Sequence, residues 1–245
     1  ISIHKAIELN PDFANAHSNL GSLLIDLGKL QDAEISTRKA IELNPDFANA
    51  HLNLGEILRV IGKLQDAEIS TRKAIELNPD FANAHLNLGR ILMDIGKLQD
   101  AEISTRKAIE LNPKFSLAYS DLGDLLNDIG KSKEAFDWYL KAIEIDPTLL
   151  NFYPKITRFL KNTDLSRLNK SKLKDLLNLL LERNDVPHKE LFNTFKFLYR
   201  NELITNLEKL DSDFSRIDLI INNKVIMNAF RKIIFYDFRL EEILT

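Results

Sequence analysis

The sequence predicts an all-α chain, a stack of repeated helix pairs followed by a small helical bundle. Three observations lead there. A 34-residue period runs through the first 146 residues, and apolar residues recur at spacings of three and four almost throughout. Proline and glycine fall at fixed places in each period, where helices must stop.

The period is marked by Asn-Pro-Asp at Asn10, Asn44 and Asn78, then by Asn112-Pro113-Lys114 and Asp146-Pro147-Thr148. These marks divide the chain into four full units, 11–44, 45–78, 79–112 and 113–146. Residues 1–10 precede them as a partial unit, since Ile7-Glu8-Leu9 repeats Ile41-Glu42-Leu43 and reads as a second helix alone. The opening Ile1-Ser2-Ile3 falls inside the pattern, so the chain reads as an excerpt of a longer protein.

Within a unit, Pro45 confines Asn44 to extended geometry and ends the preceding helix. Asp46 is then expected to cap a first helix from Phe47 to Val60, with Leu54, Leu58 and Ile61 on one face. Gly62 stops that helix. A second helix, Leu64 to Leu77, is expected to bury Ala67, Ile69, Ala74, Ile75 and Leu77. Two helices cannot bury such faces alone, whereas stacked copies form one continuous core.

Past Pro147 the pattern fails. Ile156-Thr157 stands where a Leu-Gly pair is due and Pro154 reads as an interruption, so 147–169 is expected to be an atypical capping unit. Residues 170–245 read as a helical C-terminal region. Its stripes are Leu173, Leu176, Leu177 and Leu180, then Leu191, Phe195 and Leu198, then Leu203, Leu207 and Leu210. Phe214, Ile217 and Ile221 follow, then Ile226, Phe230 and Ile233, and last Leu240 and Ile243. Pro187 suits a first helical turn. In the run Phe195-Lys196-Phe197-Leu198-Tyr199-Arg200, helical spacing turns the rings inward and the cations outward, which favours core packing over nucleic-acid contact.

Composition narrows the function. Residues 1–146 hold 16 Lys and Arg against 23 Asp and Glu, and residues 147–245 hold 17 against 13. An acidic repeat region with no basic stripe argues against nucleic acid. No apolar run is long enough to span a membrane. The chain has no cysteine, which excludes disulfides and thiolate metal sites and fits a reducing, cytoplasmic compartment. His17, His51 and His85 recur one per unit, too far apart for a shared metal and better placed for packing, while His4 and His188 stand alone. All eight glycines are repeat marks, leaving none for a phosphate loop. No catalytic residue, metal or cofactor is therefore expected in this chain, and an enzymatic activity of a longer protein is left open.

The units resemble tetratricopeptide repeats. The resemblance rests on the Leu-Gly pairs Leu20-Gly21, Leu54-Gly55, Leu88-Gly89 and Leu122-Gly123, on Ala33, Ala67, Ala101 and Ala135, on Ala40, Ala74, Ala108 and Ala142, and on the closing prolines at 45, 79, 113 and 147. The family's early Trp is replaced by the three histidines and Tyr119. Its late aromatic is replaced by Thr37, Thr71 and Thr105, which implies lighter packing, and Tyr139 restores it. The resemblance implies a right-handed superhelical solenoid whose first helices line a concave, ligand-binding groove.

On that face the two most similar units, 45–78 and 79–112, differ only at Glu56/Arg90, Arg59/Met93 and Val60/Asp94. Asn19, Asn53 and Asn87 recur before each Leu-Gly pair, with Asp121 in the fourth place, and Asn15, Asn49 and Asn83 lie one turn earlier. An amide both donates and accepts, so a row of them can hold a peptide backbone whatever its side chains. The run Phe13 to Gly21 resembles the repeats of O-linked N-acetylglucosaminyl transferases, which implies an asparagine ladder of that kind. Asp26, Glu56, Asp94, Asp124 and Asp128 outweigh Arg59 and Arg90 along the groove, so an extended neutral-to-basic protein segment is the expected partner. Residues from about 188 onward loosely resemble the helical spacer between such repeats and an S-adenosylmethionine-dependent methyltransferase. A second reading is thus the substrate-docking arm of a methyltransferase or glycosyltransferase whose catalytic domain lies elsewhere. End-to-end self-association through the half unit at residues 1–10 is a third.

Overall fold

The computed structural model describes residues 3–148, 152–208 and 215–233. Every regular element among them is helical, and the chain divides into two compact units, residues 1–129 and 130–245. That division falls inside the 113–146 repeat, between its two helices.

The first unit holds α1 (Ile3–Leu9), α2 (Ala14–Asp26), α3 (Leu30–Leu43), α4 (Ala48–Val60), α5 (Leu64–Leu77), α6 (Ala82–Ile95), α7 (Leu98–Leu111) and α8 (Ser116–Asp128). α2 pairs with α3, α4 with α5 and α6 with α7, and each second helix also meets the next first helix. The first helices α2, α4, α6 and α8 touch their neighbours across repeats. Among the described residues the second helices α3, α5 and α7 make no comparable contact with one another. First helices therefore crowd one face of the stack and second helices splay apart on the other.

The crowding depends on small residues. Ala33, Ala67, Ala101, Ala40, Ala74 and Ala108 have no solvent exposure. Gly21, Gly55 and Gly89 each face a buried threonine of the partner helix, and a Cβ on them would overlap the hydroxyls of Thr37, Thr71 and Thr105. The helices are thus in close contact at these threonines, and the lighter packing expected there is not what the first three units show. Core clusters then run across repeat boundaries. Leu54, Leu58, Ala67 and Ile91 pack with Ile41, Ile61 and Ile95, and Leu86, Ala108 and Ala118 pack with Ile109 and Phe115.

The turns correct one expectation. Asp46 does not cap the next helix, because α4 begins at Ala48 with Phe47 in the cap position and no side-chain cap bond. The residue before the proline shapes the turn instead: Asn44 Oδ1 accepts from the Asp46 amide at 3.2 Å, and Asn10, Asn78, Asn112 and Asp146 repeat the bond. The helix end is as expected. Gly62 adopts a left-handed φ of 83°, its N–H donates to the Arg59 carbonyl, and the Lys63 N–H reaches back to Leu58.

The recurrent histidines tie each first helix to its own turn. His17, His51 and His85 lie with Nε2 2.8, 2.8 and 2.9 Å from the carbonyl oxygens of Pro11, Pro45 and Pro79. A carbonyl only accepts, so Nε2 carries the hydrogen. The Tyr119 hydroxyl makes the same bond to Pro113, and the Tyr153 hydroxyl makes it to Pro147 at 2.8 Å. Successive second helices are also bridged: Glu34 meets Arg38 and Lys63, and Glu68 meets Arg72 and Lys97.

A second correction concerns Ile69. Ala67, Ser70, Thr71 and Ala74 form the buried stripe of α5, and Ile69 points away from it, as do Ile35 on α3 and Ile103 on α7. Two residues beyond Ala67 is about 200° around a helix, nearly the opposite side.

The second unit holds α9 (Ser132–Ile145), α10 (Phe152–Asn162), α11 (Lys170–Glu182), α12 (Phe192–Leu207), α13 (Ser215–Ile221) and α14 (Lys224–Lys232). Pro154 does not interrupt α10. It lies in the first turn, where its missing N–H needs no partner. The Tyr139 ring meets Phe152 and Phe159 of α10 at 5.8 and 5.0 Å, and Phe136 stacks on Phe159. Leu173, Leu176, Leu177, Leu180, Leu191, Phe195, Leu198, Leu203, Ile226 and Ile233 are buried as expected. Phe197 and Ile221 are exposed instead, Phe197 because it lies off the buried stripe of α12. Asn169 and Asn223 cap α11 and α14, and Lys232 donates to the Arg183 carbonyl at 3.1 Å. Leu210, Phe214, Leu240, Ile243 and the side chains of His4 and Ile217 lie outside the described residues.

Candidate functional site

The crowded face of the first unit carries a cleft of about 310 Å³ between α4, α6 and the start of α8. Leu52, Asn53 and Glu56 line it from α4, Asn83, Leu86, Asn87 and Arg90 from α6, and Phe115 and Leu117 from the next repeat. Five residues expected in a groove thus converge: Asn53, Glu56, Asn83, Asn87 and Arg90. They do so because offsets of three and four keep Asn53 and Glu56, like Asn87 and Arg90, on one side of their helix.

The asparagine column is not uniform. Asn19 is exposed, and so are Asn15, Asn49 and Asn83. Asn53 is half-buried and donates across the repeat to Ser18, at 3.4 Å to its carbonyl and 3.3 Å to its hydroxyl. Asn87 is only 6% exposed and donates to the Thr71 hydroxyl at 3.4 Å. The difference follows from one residue. Leu52 occupies in its repeat the place of Ser18, so Asn87 finds no hydroxyl on α4 and turns inward to α5.

The arginines are committed as well. Arg59 on α4 pairs with Asp94 on α6 at 3.1 Å, and Arg90 on α6 pairs with Asp121 on α8 at 2.5 Å. The substitutions that distinguish units 45–78 and 79–112 are therefore those that bond one first helix to the next. Glu56 and Asp124 are half-buried, while Asp26 and Asp128 are exposed at the C-terminal ends of α2 and α8. Although the Asp128 side chain is exposed, partial withdrawal of its carboxyl from water, and then the charge of Asp124, raises that carboxyl above its ordinary range. Only the second of these effects is a repulsion between like charges.

Among the described residues no group of three or more His, Asp or Glu is arranged to hold a metal ion, and no helix is long and apolar enough to cross a membrane. Sequence reasoning missed the histidine–proline carbonyl bonds. Their signal was present, since Tyr153 follows Tyr119 by 34 residues and extends the His17, His51, His85 series into the segment where the pattern otherwise fails.

A family model described as tetratricopeptide repeat matches residues 37–69, 71–103 and 105–137, windows that start 34 residues apart, and a second model of the same description matches residues 14–47. No curated protein matches the chain. Among solved structures, MamA is 28% identical over 59% of this chain and 85% of its own, with a TM-score of 0.52. A thermophilic tetratricopeptide protein of Thermus thermophilus is 24% identical over 64% of this chain and 87% of its own, with a TM-score of 0.60. PilF of Pseudomonas aeruginosa is 16% identical over 86% and 97%, with a TM-score of 0.63. The last two likenesses are of fold alone.

Proposed function

Because residues 14–137 are tetratricopeptide repeats, we propose that they serve as a protein-interaction scaffold and that the face of the first helices binds an extended segment of a partner protein, neutral to basic in character. The observation that carries this reading is the cleft between α4 and α6. There Asn53, Glu56 and Asn83 stand together while the arginines nearby are already bound to aspartates. An acidic segment would find no uncommitted arginine among Arg59 and Arg90 and would meet Glu56 and Asp128, whereas a basic one would meet carboxylates.

Exposed and half-buried amides on α2, α4 and α6 supply backbone recognition. Asn15, Asn19, Asn49, Asn53 and Asn83 can donate and accept along a peptide without selecting its side chains. Asn87 acts differently in this proposal, as a support that fixes α6 on α5. Charge at Glu56 and Asp128 then sets preference among segments. Recognition is the whole mechanism, and no bond is made or broken by these residues.

The test is a variant carrying Asn49→Ala, Asn53→Ala and Asn83→Ala. Its affinity for a captured partner segment should fall about tenfold or more, since each lost hydrogen bond is worth about 0.5–1.5 kcal/mol, while helical circular dichroism stays unchanged. Unaltered affinity in a folded variant removes the amide ladder.

A further inference from the structure

A second periodic surface lies on the opposite, splayed face of residues 1–129. The helices α3, α5 and α7 share one 14-residue sequence, and on each the sixth residue is an isoleucine with 68% of its surface exposed: Ile35, Ile69 and Ile103. Between these ridges lie clefts. One of about 700 Å³ runs between α3 and α5, with Leu54 and Leu58 of α4 on its floor and Ile41 and Ile69 on its walls. The same cleft recurs between α5 and α7 at about 450 Å³, with Leu88 on the floor and Ile75 and Ile103 on the walls. Apolar ridge and apolar cleft therefore alternate with the period of the repeat. Helix stability does not call for isoleucine at an exposed position, where a β-branched residue is a weaker helix former than leucine, lysine or glutamate. What sets these isoleucines apart from singly exposed apolar residues, which are ordinary, is their recurrence at the same helical position beside a leucine-floored cleft.

We propose that this face binds a second copy of the same chain, ridge into cleft, about a two-fold axis. A partner must present apolar ridges at the spacing of the clefts, and the α3–α5–α7 face has that spacing by construction. Charge selects the orientation. Asp66 precedes Ile69 by one helical turn, and Lys73 follows it by about one. At the cleft rim Arg38 of α3 lies toward the Lys73 end, away from Asp66. Arg38 is held by Glu34 of its own helix at 2.8 Å, so the complement is Lys73: antiparallel helices place the Asp66 end of each copy against the Lys73 end of the other, twice per pair. Parallel helices would set Asp66 against Asp66 and Lys73 against Lys73. Only the antiparallel arrangement is self-complementary, as a two-fold interface requires. Glu42 and Glu76 also stand near the lysine end, where Lys39 and Lys73 pair with them at 2.9 and 2.7 Å. Such exposed pairs are weak and exchange partners readily. The first-helix cleft plays no part in this contact, so each copy keeps its groove open.

The experiment is sedimentation equilibrium of the full 245-residue chain over a wide concentration range, against Ile69→Lys/Ile103→Lys. Both sites are exposed, so the variant keeps its helical circular dichroism and thermal midpoint. The native chain is expected to reach the dimer mass and the variant to remain monomeric. A native chain that stays monomeric throughout overturns the proposal, as does a variant that still dimerises. Orientation is read separately. Asp66→Lys should weaken dimerisation about tenfold or more through like-charge contact, and Asp66→Lys/Lys73→Asp should restore it. A double reversal no better than the single one overturns the two-fold register.

Discussion

Consider a methyl group added to Gly89. A Cβ there would overlap the Thr105 hydroxyl, with the Ala101 carbonyl oxygen at 3.3 Å and the Thr105 amide nitrogen at 3.4 Å. Two of these three atoms are backbone and Thr105 is buried, so no flexible chain end can move aside. Two effects oppose each other. Alanine is the better helix former by about 0.8–1.0 kcal/mol, whereas overpacking costs about 1–3 kcal/mol. With helices this close the second wins, and Gly89→Ala should destabilise the chain by about 1 kcal/mol. Thr105→Ala alone leaves a small void and should cost a similar amount. In the double variant the new methyl fills the space the threonine vacated, so the two losses should not add, and the coupling should reach about 1–2 kcal/mol. Urea unfolding of the four chains of this cycle measures it. Purely additive effects, or a Gly89→Ala chain stabilised by the full propensity difference, would refute the close-packing argument.

Other consequences can be checked by the same unfolding assay. Gly96→Ala should cost about 1–2 kcal/mol for a different reason, its left-handed φ of 86°. With nothing within 4 Å of the added carbon, no second substitution should rescue it. His51→Phe should lose about 0.5–1.5 kcal/mol through the bond to the Pro45 carbonyl, while His51→Tyr should be tolerated, because Tyr119 and Tyr153 make that bond already. Asp128→Asn should stabilise by about 0.3–1 kcal/mol near neutral pH, since a negative charge closes the C-terminal end of α8. The Asp128 carboxyl is held above its ordinary range, so its native form is favoured at low pH and loses ground as pH rises through the folded value. The advantage of the variant should therefore vanish in acid. Glu68 behaves oppositely. Hydrogen bonds from Lys97 and Arg72, against an opposing effect of burial, hold its carboxyl below the ordinary glutamate range. Its contribution of about 0.2–1 kcal/mol is present above that range and lost as pH falls through the folded value, so Glu68→Gln should matter near neutrality and not in acid.

The architecture of the repeats was legible because backbone constraints repeat with the period. Pro45 and Gly62 each permit few conformations, and the alanines and glycines between them dictate how closely helices approach. Side-chain direction was harder to read. Ile69 looks like core by type, yet its burial depends on its angle from Ala67, and Asp46 looks like a cap although the Asn44 side chain claims its amide first. Pro154 suggested a break because its distance from the helix start was not apparent. On the candidate site, the sequence placed Asn53, Glu56, Asn83, Asn87 and Arg90 on one face. It could not show that Asn87 turns inward, since that depends on Leu52 standing where an earlier repeat has Ser18. Nor could it reveal the Arg59–Asp94 and Arg90–Asp121 pairs, which join residues more than 30 positions apart.

The sharpest measurement is fluorescence anisotropy with labelled peptides of equal length and matched apolar content, carrying lysine and arginine in one case and aspartate and glutamate in the other. Binding should favour the basic peptide, weaken as salt is added, and lose its charge preference in Glu56→Gln/Asp128→Asn. Tighter binding of the acidic peptide, or a preference indifferent to those two carboxylates, would contradict recognition of a neutral-to-basic segment by the first helices.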